Sequence, residues 1–118
     1  MTLTGERIAE RCQADGEFRL AARYWDGSLV FDLSDRRLDF IIAGGRIAAA
    51  DAKAPDISLS GPVDLWAKIL APVPRPHFND IMPARAFGLR VEGNEEMFSQ
   101  YYPAIRRMVD LMRQDGLD

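Results

Sequence analysis

The chain reads as an α+β protein: a mainly antiparallel sheet with helices covering one face. Three observations predict this. Leu29-Phe31-Leu33 and Leu38-Phe40-Ile42 alternate with polar residues on either side of a short turn, the mark of a hairpin with one buried face. Apolar residues recur at helical spacing towards both ends of the chain. Between them the strand-like run Asp56–Ser60 passes almost directly into an apolar-faced helix. The order helix, hairpin, strands, helix, strand, helix suits a sheet with its helices gathered on one side.

Taken in order, Thr4 can cap a first helix in which Ile8 and Cys12 share a face, and Asp15-Gly16 interrupts it. From Phe18 to Trp25 two patterns compete. Phe18, Ala21, Ala22 and Trp25 fit a helix, while Phe18, Leu20, Ala22 and Tyr24 fit alternation. The alanines and the Arg and Glu content favour the helix, which Asp26-Gly27 should end. After the hairpin, whose turn spans Ser34–Arg37, Gly44-Gly45 turns the chain into a short strand over Arg46–Ala49, and an exposed loop runs to Pro55.

Ile57 and Leu59 then alternate with Asp56, Ser58 and Ser60. Ser60 stands where an N-cap belongs, Pro62 falls just inside the first helical turn, and Asp64 lies near the positive end of the helix dipole. Val63, Trp66, Ile69 and Leu70 share one face of that helix. Pro72, Pro74, Pro76 and Pro83 make Ala71–Pro83 irregular, with room for one turn over Phe78–Met82. Phe87, Leu89 and Val91 alternate as a last strand, and Gly93-Asn94 turns into a C-terminal helix. Glu95 and Glu96 at its start and Arg106, Arg107 and Arg113 later match the dipole. Met97, Tyr101, Ile105, Met108 and Met112 form its apolar stripe, and Pro103 should kink or split it near Tyr102.

At 118 residues the length predicts one domain over 1–118. With 47% hydrophobic and 28% charged residues the composition is that of a globular protein, and the net charge of -3 disfavours a nucleic-acid partner. The single Cys12 and the polar N-terminus predict a cytoplasmic setting. No apolar run approaches the ~20 residues of a membrane span, so stable membrane insertion is not expected. The last residues, Gly116-Leu117-Asp118, form no receptor-read address. His77 is the only histidine, so no metal site is predicted. Gly44-Gly45 lacks the residues of a phosphate-binding loop, and no cofactor is expected. Ser58, Ser60 and Cys12 have no base nearby in sequence, and Asp32, Asp35 and Asp39 are expected to face solvent, so no catalytic residue is assigned.

Four segments together resemble the sterol carrier protein type 2 (sterol-transfer) domain family: Gly45-Arg46-Ile47, Ala54–Gly61, Asp64-Leu65-Trp66 and Leu89–Asn94. In that family a turn and strand lead to an Ala-Asp-x-x-(Leu/Ile)-x-Gly strand and a helix. A later strand carries Gly-x-Leu-x-(Val/Ile)-x-Gly-(Asp/Asn), of which Gly88-Leu89-Arg90-Val91-Glu92-Gly93-Asn94 lacks one residue. The resemblance spans roughly residues 5 to 112. It implies a sheet of about five strands enclosing, with its helices, an apolar cavity for a sterol, fatty acid or fatty acyl-CoA. Here the helix leads into the proline-rich loop instead of the family's glycine linker.

Trp25, Trp66, Phe78, Met82, Phe87, Met97, Phe98, Tyr101 and Met108 are then the candidate ligand-binding residues, with Arg75, His77 and Arg85 as candidate head-group contacts. The same apolar residues equally suit a filled core. Burying a long acyl chain at ~0.8 kcal/mol per methylene gives roughly 10 kcal/mol gross. Subtracting at least ~4 kcal/mol for association leaves micromolar affinity within reach. Non-enzymatic carriage of an apolar small molecule is the leading reading. The alternatives are a small lyase or isomerase using His77 or a buried carboxylate, and a homodimeric interaction module pairing through the hairpin edge or the C-terminal helix.

Overall fold

Thr4 accepts a hydrogen bond from the Arg7 amide and so caps α1 (Gly5–Ala14), whose Ile8 and Cys12 are fully buried. Asp15 closes this helix and opens the next. Its own amide donates to the Cys12 carbonyl, and its carboxylate accepts from the Phe18 amide at the start of α2 (Gly16–Ala22). The structure is a computed structural model that describes residues 3–115. The run Gly116-Leu117-Asp118, read above for a targeting address, lies outside the described residues.

α2 stops at Ala22, earlier than the Asp26-Gly27 turn suggests. Tyr24 takes a left-handed φ of 74°, and the link is bonded to the next turn: Gly45 N–H donates to the Trp25 carbonyl and Gly44 N–H to the Asp26 carboxylate. Those tertiary bonds outcompete the helical propensity of Arg23 and Tyr24.

The sheet contains β1 (Gly27–Asp32), β2 (Arg37–Ala43), β3 (Arg46–Ala49), β4 (Ile57–Ser60) and β5 (Arg90–Gly93), in spatial order β3-β2-β1-β4-β5. Three of the four pairings are antiparallel, and β1 and β4 run parallel, which makes the sheet mixed. Leu29, Phe31, Phe40, Ile42, Ile57 and Leu59 are all buried on the helix-covered face. The hairpin edge named as a pairing surface is covered by β3, and Gln13 of α1 accepts from the β3 amide of Ile47.

Gly93 and Asp56 explain two of the recurring segments. Asp56 accepts from the Ser28 amide and hydroxyl with its carboxylate, donates its own amide to the same hydroxyl oxygen, and accepts from Asn94 N–H with its carbonyl. It therefore joins β1, β4 and the turn after β5. Gly93 has φ 110°, and a Cβ there would stand 2.1 Å from the Asp56 carbonyl oxygen. Only glycine fits.

Four other expectations are corrected. α3 (Val63–Ile69) has Pro62, not Ser60, at its N-cap position, and Val63 faces solvent while Leu65 takes its place in the core. Phe87 belongs to a 3-10 turn, Arg85–Phe87, that Gly88 closes at φ 113°, so β5 begins only at Arg90. α4 (Ile81–Ala84) forms within the proline-rich stretch because Asp80 caps it and Pro83 falls in its first turn, where proline is tolerated. Asp39 is largely buried: its carboxylate takes the Ala52 amide and the Arg37 guanidinium and so pins the 50–52 loop.

Asn94 caps α5 (Glu95–Gln100), and the helix breaks at Tyr101 before α6 (Tyr102–Asp115), the split that Pro103 predicts. Ala104, Ile105, Met108 and Met112 of α6 are fully buried, so the apolar face of this helix is spent on the core. Among the described residues no helix is long and apolar enough to cross a membrane.

Candidate functional site

α3 sets one wall of the site. It turns Leu65, Trp66 and Ile69 inward, which leaves Ala67 and Lys68 outward, with Lys68 near the negative end of the helix dipole. Leu70 N–H closes the helix on the Trp66 carbonyl, and Pro72 prevents its continuation. The next residues alternate proline with Val73 and Arg75, an arrangement that bars a helix at each intervening residue. A turn follows in which Phe78 N–H donates to the Arg75 carbonyl and His77 takes a left-handed φ of 78°. That turn drives Phe78 back against the core while His77 and Arg75 stay exposed.

Between these walls lies a groove of about 400 Å³ lined by Ala67, Lys68, Ala71, Val73, Arg75 and Phe78. It is more enclosed than the shallow depressions along α1 and beside β2. The Lys68 ammonium stands 5.3 Å from the centre of the Phe78 ring. Phe87 packs against Phe78 at 5.2 Å and against His77 at 5.4 Å, extending the aromatic surface sideways, and its own side is half exposed. The site therefore combines an apolar floor with a cationic rim.

Two side chains fasten this segment from below. Arg113 of α6 donates to the Ile69 carbonyl at 2.8 Å and to the Phe78 carbonyl at 3.3 Å. Burial pulls the Arg113 guanidinium below its ordinary pKa, and the neighbouring Asp110 opposes that. Tyr102 hydrogen-bonds Asp80 and the Met82 amide. Burial first, and then the Asp80 carboxylate, push the Tyr102 phenol up to about 12.

The structure brings Arg75, His77, Phe78 and Phe87 together, and places Arg85 beside Met82, with its Nη1 3.9 Å from the sulfur. Of the other predicted residues all but Met97 are buried in the core. Trp25 stacks on Tyr101 with centroids 4.9 Å apart and planes at 7°, and its buried Nε1 has no hydrogen-bond partner. Trp66 donates to the Asp32 carbonyl and meets Phe31 edge-on. Phe98 packs edge-on against Tyr102, Met97 is half-buried, and Met108 is fully buried. Lys68, Ala67, Ala71 and Val73 were not anticipated. The cue for Lys68 was its place on the solvent face of a helix whose C-terminus abuts the prolines, and the cue for Val73 was a bare aliphatic residue between two of them.

Asp115, a buried carboxylate, is held by Arg7 and Arg11 between α6 and α1. Burial would raise the Asp115 pKa, but the hydrogen bonds from Arg11 and Arg7 outweigh it and hold the carboxyl below its ordinary value. Burial pushes the Cys12 thiol up to about 12, so it is no nucleophile. Among the described residues no group of three or more His, Cys, Asp or Glu side chains is placed to hold a metal ion.

The mixed five-stranded sheet and its helical cover define a fold of the sterol-carrier type. A crystal structure of sterol carrier protein 2 superposes with a TM-score of 0.68 at 16% identity, covering 91% of each chain. A solution structure of TT1886 from Thermus thermophilus, described as possibly a sterol carrier protein, gives 0.67 at 15% identity, over 97% of this chain and 87% of that one. A ubiquinone synthesis protein, UbiJ-SCP2, gives 0.53 at 12% identity, over 90% and 89%. No protein-family model and no curated protein sequence matches the chain.

Proposed function

We propose that this chain is a non-enzymatic carrier for an apolar small molecule with an acidic head, of the fatty-acid or fatty acyl class. One observation carries the reading: Lys68 and Arg75 rim a groove whose floor, Phe78, is wedged against the core between sheet and helices. A carboxylate at the rim would meet two cations, while the chain behind it enters by moving Phe78 and Phe87 aside. Arg85, beside Met82, adds a further cation, and His77 lies against Phe87. Trp25, Trp66, Met97, Phe98, Tyr101 and Met108 line the space that opens. The likeness to sterol carrier structures supports this reading through the fold. The protein works as one sterol-carrier-like domain over residues 1–118, in the cytoplasm, and performs no chemistry on its cargo.

The test is native mass spectrometry of the purified protein before and after organic extraction, followed by titration with palmitate and with hexadecanol. An adduct of a few hundred daltons that extraction removes is expected. Substituting Lys68→Ala together with Arg75→Ala should weaken palmitate about tenfold, the size of one charge-assisted hydrogen bond, and leave hexadecanol unchanged. Absence of any adduct, with no shift of the thermal midpoint in either titration, would overturn the proposal.

A further inference from the structure

We infer that the proline-rich face is a reversible docking surface for an anionic membrane. This goes beyond the carrier reading and stands without it, because it concerns the outside of the segment and not what passes beneath. Val73 is 87% exposed and Phe87 53% exposed. Single exposed apolar residues are ordinary, but these two flank the same aromatic cluster, Phe78 and His77, and so belong to one patch. Pro72 and Pro74 restrict the backbone on either side of Val73, so little ordering entropy is lost when it is buried in an interface.

Charge selects the occupant. The chain as a whole carries -3, yet residues 62–88 hold three cations, Lys68, Arg75 and Arg85, against two carboxylates, Asp64 and Asp80. Asp80 is occupied by Tyr102, the Ile81 amide and Arg106. Asp110, on the far side of Pro72 and Pro74, is bound to Arg113. An apolar projection with Lys68 and Arg75 at its rim and Arg85 beside Met82, on an otherwise acidic protein, matches the headgroup region of an anionic bilayer. A second copy of this chain would bring the same cations against each other, which disfavours self-association through this face.

Co-sedimentation with ligand-free vesicles tests the inference. The wild-type protein should pellet with vesicles containing 30 mol% phosphatidylglycerol in phosphatidylcholine. It should remain in the supernatant with pure phosphatidylcholine, and be released by 0.5 M NaCl. Arg75→Glu with Arg85→Glu should lower the partition coefficient about tenfold. Val73→Asp should do the same through the apolar contact. Arg46→Glu, the same kind of charge change on β3 at the opposite sheet edge, should shift it less than twofold. Absence of pelleting with anionic vesicles, pelleting indifferent to lipid charge and salt, or an equal loss from Arg46→Glu would each overturn docking by this face. So would a dimer in vesicle-free sedimentation that Val73→Asp dissolves. Should the palmitate titration fail while vesicle binding persists, the carrier reading falls and the docking surface remains.

Discussion

Two corners of this molecule are fastened in opposite ways. Where α1, α2 and α6 meet, charge holds side chain to side chain. Asp115, 1% exposed at its side chain, takes Arg11 at 2.7 Å and Arg7 at 3.3 Å, and Asp15 takes Arg107 at 2.9 and 3.0 Å in a two-pronged pair. The proline-rich segment between α3 and β5 carries a looser ion pair, Asp80 to Arg106 at 3.5 Å with Arg106 mostly exposed. Its other fixings are guanidinium bonds to two main-chain carbonyls and one phenol on Asp80, with an aromatic cluster whose outer members face solvent. The first corner resists opening because an ion left buried without its partner is expensive. The second exchanges its bonds with water at small cost. The proposed carrier role would use this asymmetry: one side that keeps the sheet and helices in register, and one that yields to let a ligand past.

The sharpest way to break the comparison is at Asp115. Asp115→Ala strands Arg7 and Arg11, though both guanidinium groups are about one-third exposed and regain water. The cost should therefore fall below that of a fully buried pair, at about 2 kcal/mol. That corresponds to a midpoint about 8 °C lower by thermal denaturation. Acid should show the same group. Arg107 holds Asp15 below its ordinary pKa, and Arg11 and Arg7 do so for Asp115 against its burial. Groups with a lowered folded pKa stabilise the protein above their unfolded value of about 3.9, and that stability is lost as pH falls through the folded value. Urea unfolding should lose stability below about pH 4, less steeply in Asp115→Ala. A variant as stable as wild type would show that the corner is not clamped by charge.

Much of this architecture was legible in the residues because local chemistry decides it. Period-2 alternation gave the hairpin, Thr4 announced its helix through a hydroxyl cap, and Gly93-Asn94 marked the turn into the C-terminal helix. Pro103 marked the break before α6. What escaped was decided at a distance. The parallel pairing of β1 with β4 depends on a crossover that no stretch of either strand encodes. Ser60 and Pro62 both suit a helix start, and the packing of Leu65 instead of Val63 chose between them. At the site the same division holds. Arg75, His77 and Phe78 are sequence neighbours and could be grouped by eye, whereas Lys68 arrives from α3 and Arg113 from α6, and only the fold brings them in. Phe87 alternates with Leu89 and Val91 as a strand would, but the left-handed Gly88 turns it out of the sheet and onto Phe78.

The loose corner is sharpened by Arg113→Ala. Its guanidinium is 11% exposed and reaches the carbonyls of Ile69 and Phe78. Losing both bonds should cost about 1.5 kcal/mol overall, less than Asp115→Ala. The local consequence should exceed the global one. Amide hydrogen exchange in residues 71–88 should quicken about tenfold while β1 and β2 are unaffected, since the opening is confined to the segment. If exchange rises equally in the sheet, the segment does not open by itself.

The smallest effect is expected at Tyr102, and it separates a latch from a clamp. Tyr102→Phe keeps the ring against Phe98 and removes only the hydroxyl that joins Asp80 and the Met82 amide. Asp80 retains the Ile81 amide and Arg106, so no buried charge is orphaned and the loss should be at most about 1 kcal/mol. The pH dependence identifies the bond. Because burial and Asp80 raise the folded pKa to about 12, the phenol stabilises the protein fully below its unfolded value of about 10. That contribution disappears as pH rises through about 12. Wild-type stability should therefore fall over that alkaline window by denaturant titration, and Tyr102→Phe should show a shallower fall. The same alkaline slope in both proteins would mean that the phenol holds nothing, leaving Arg113 as the fastening of the mouth.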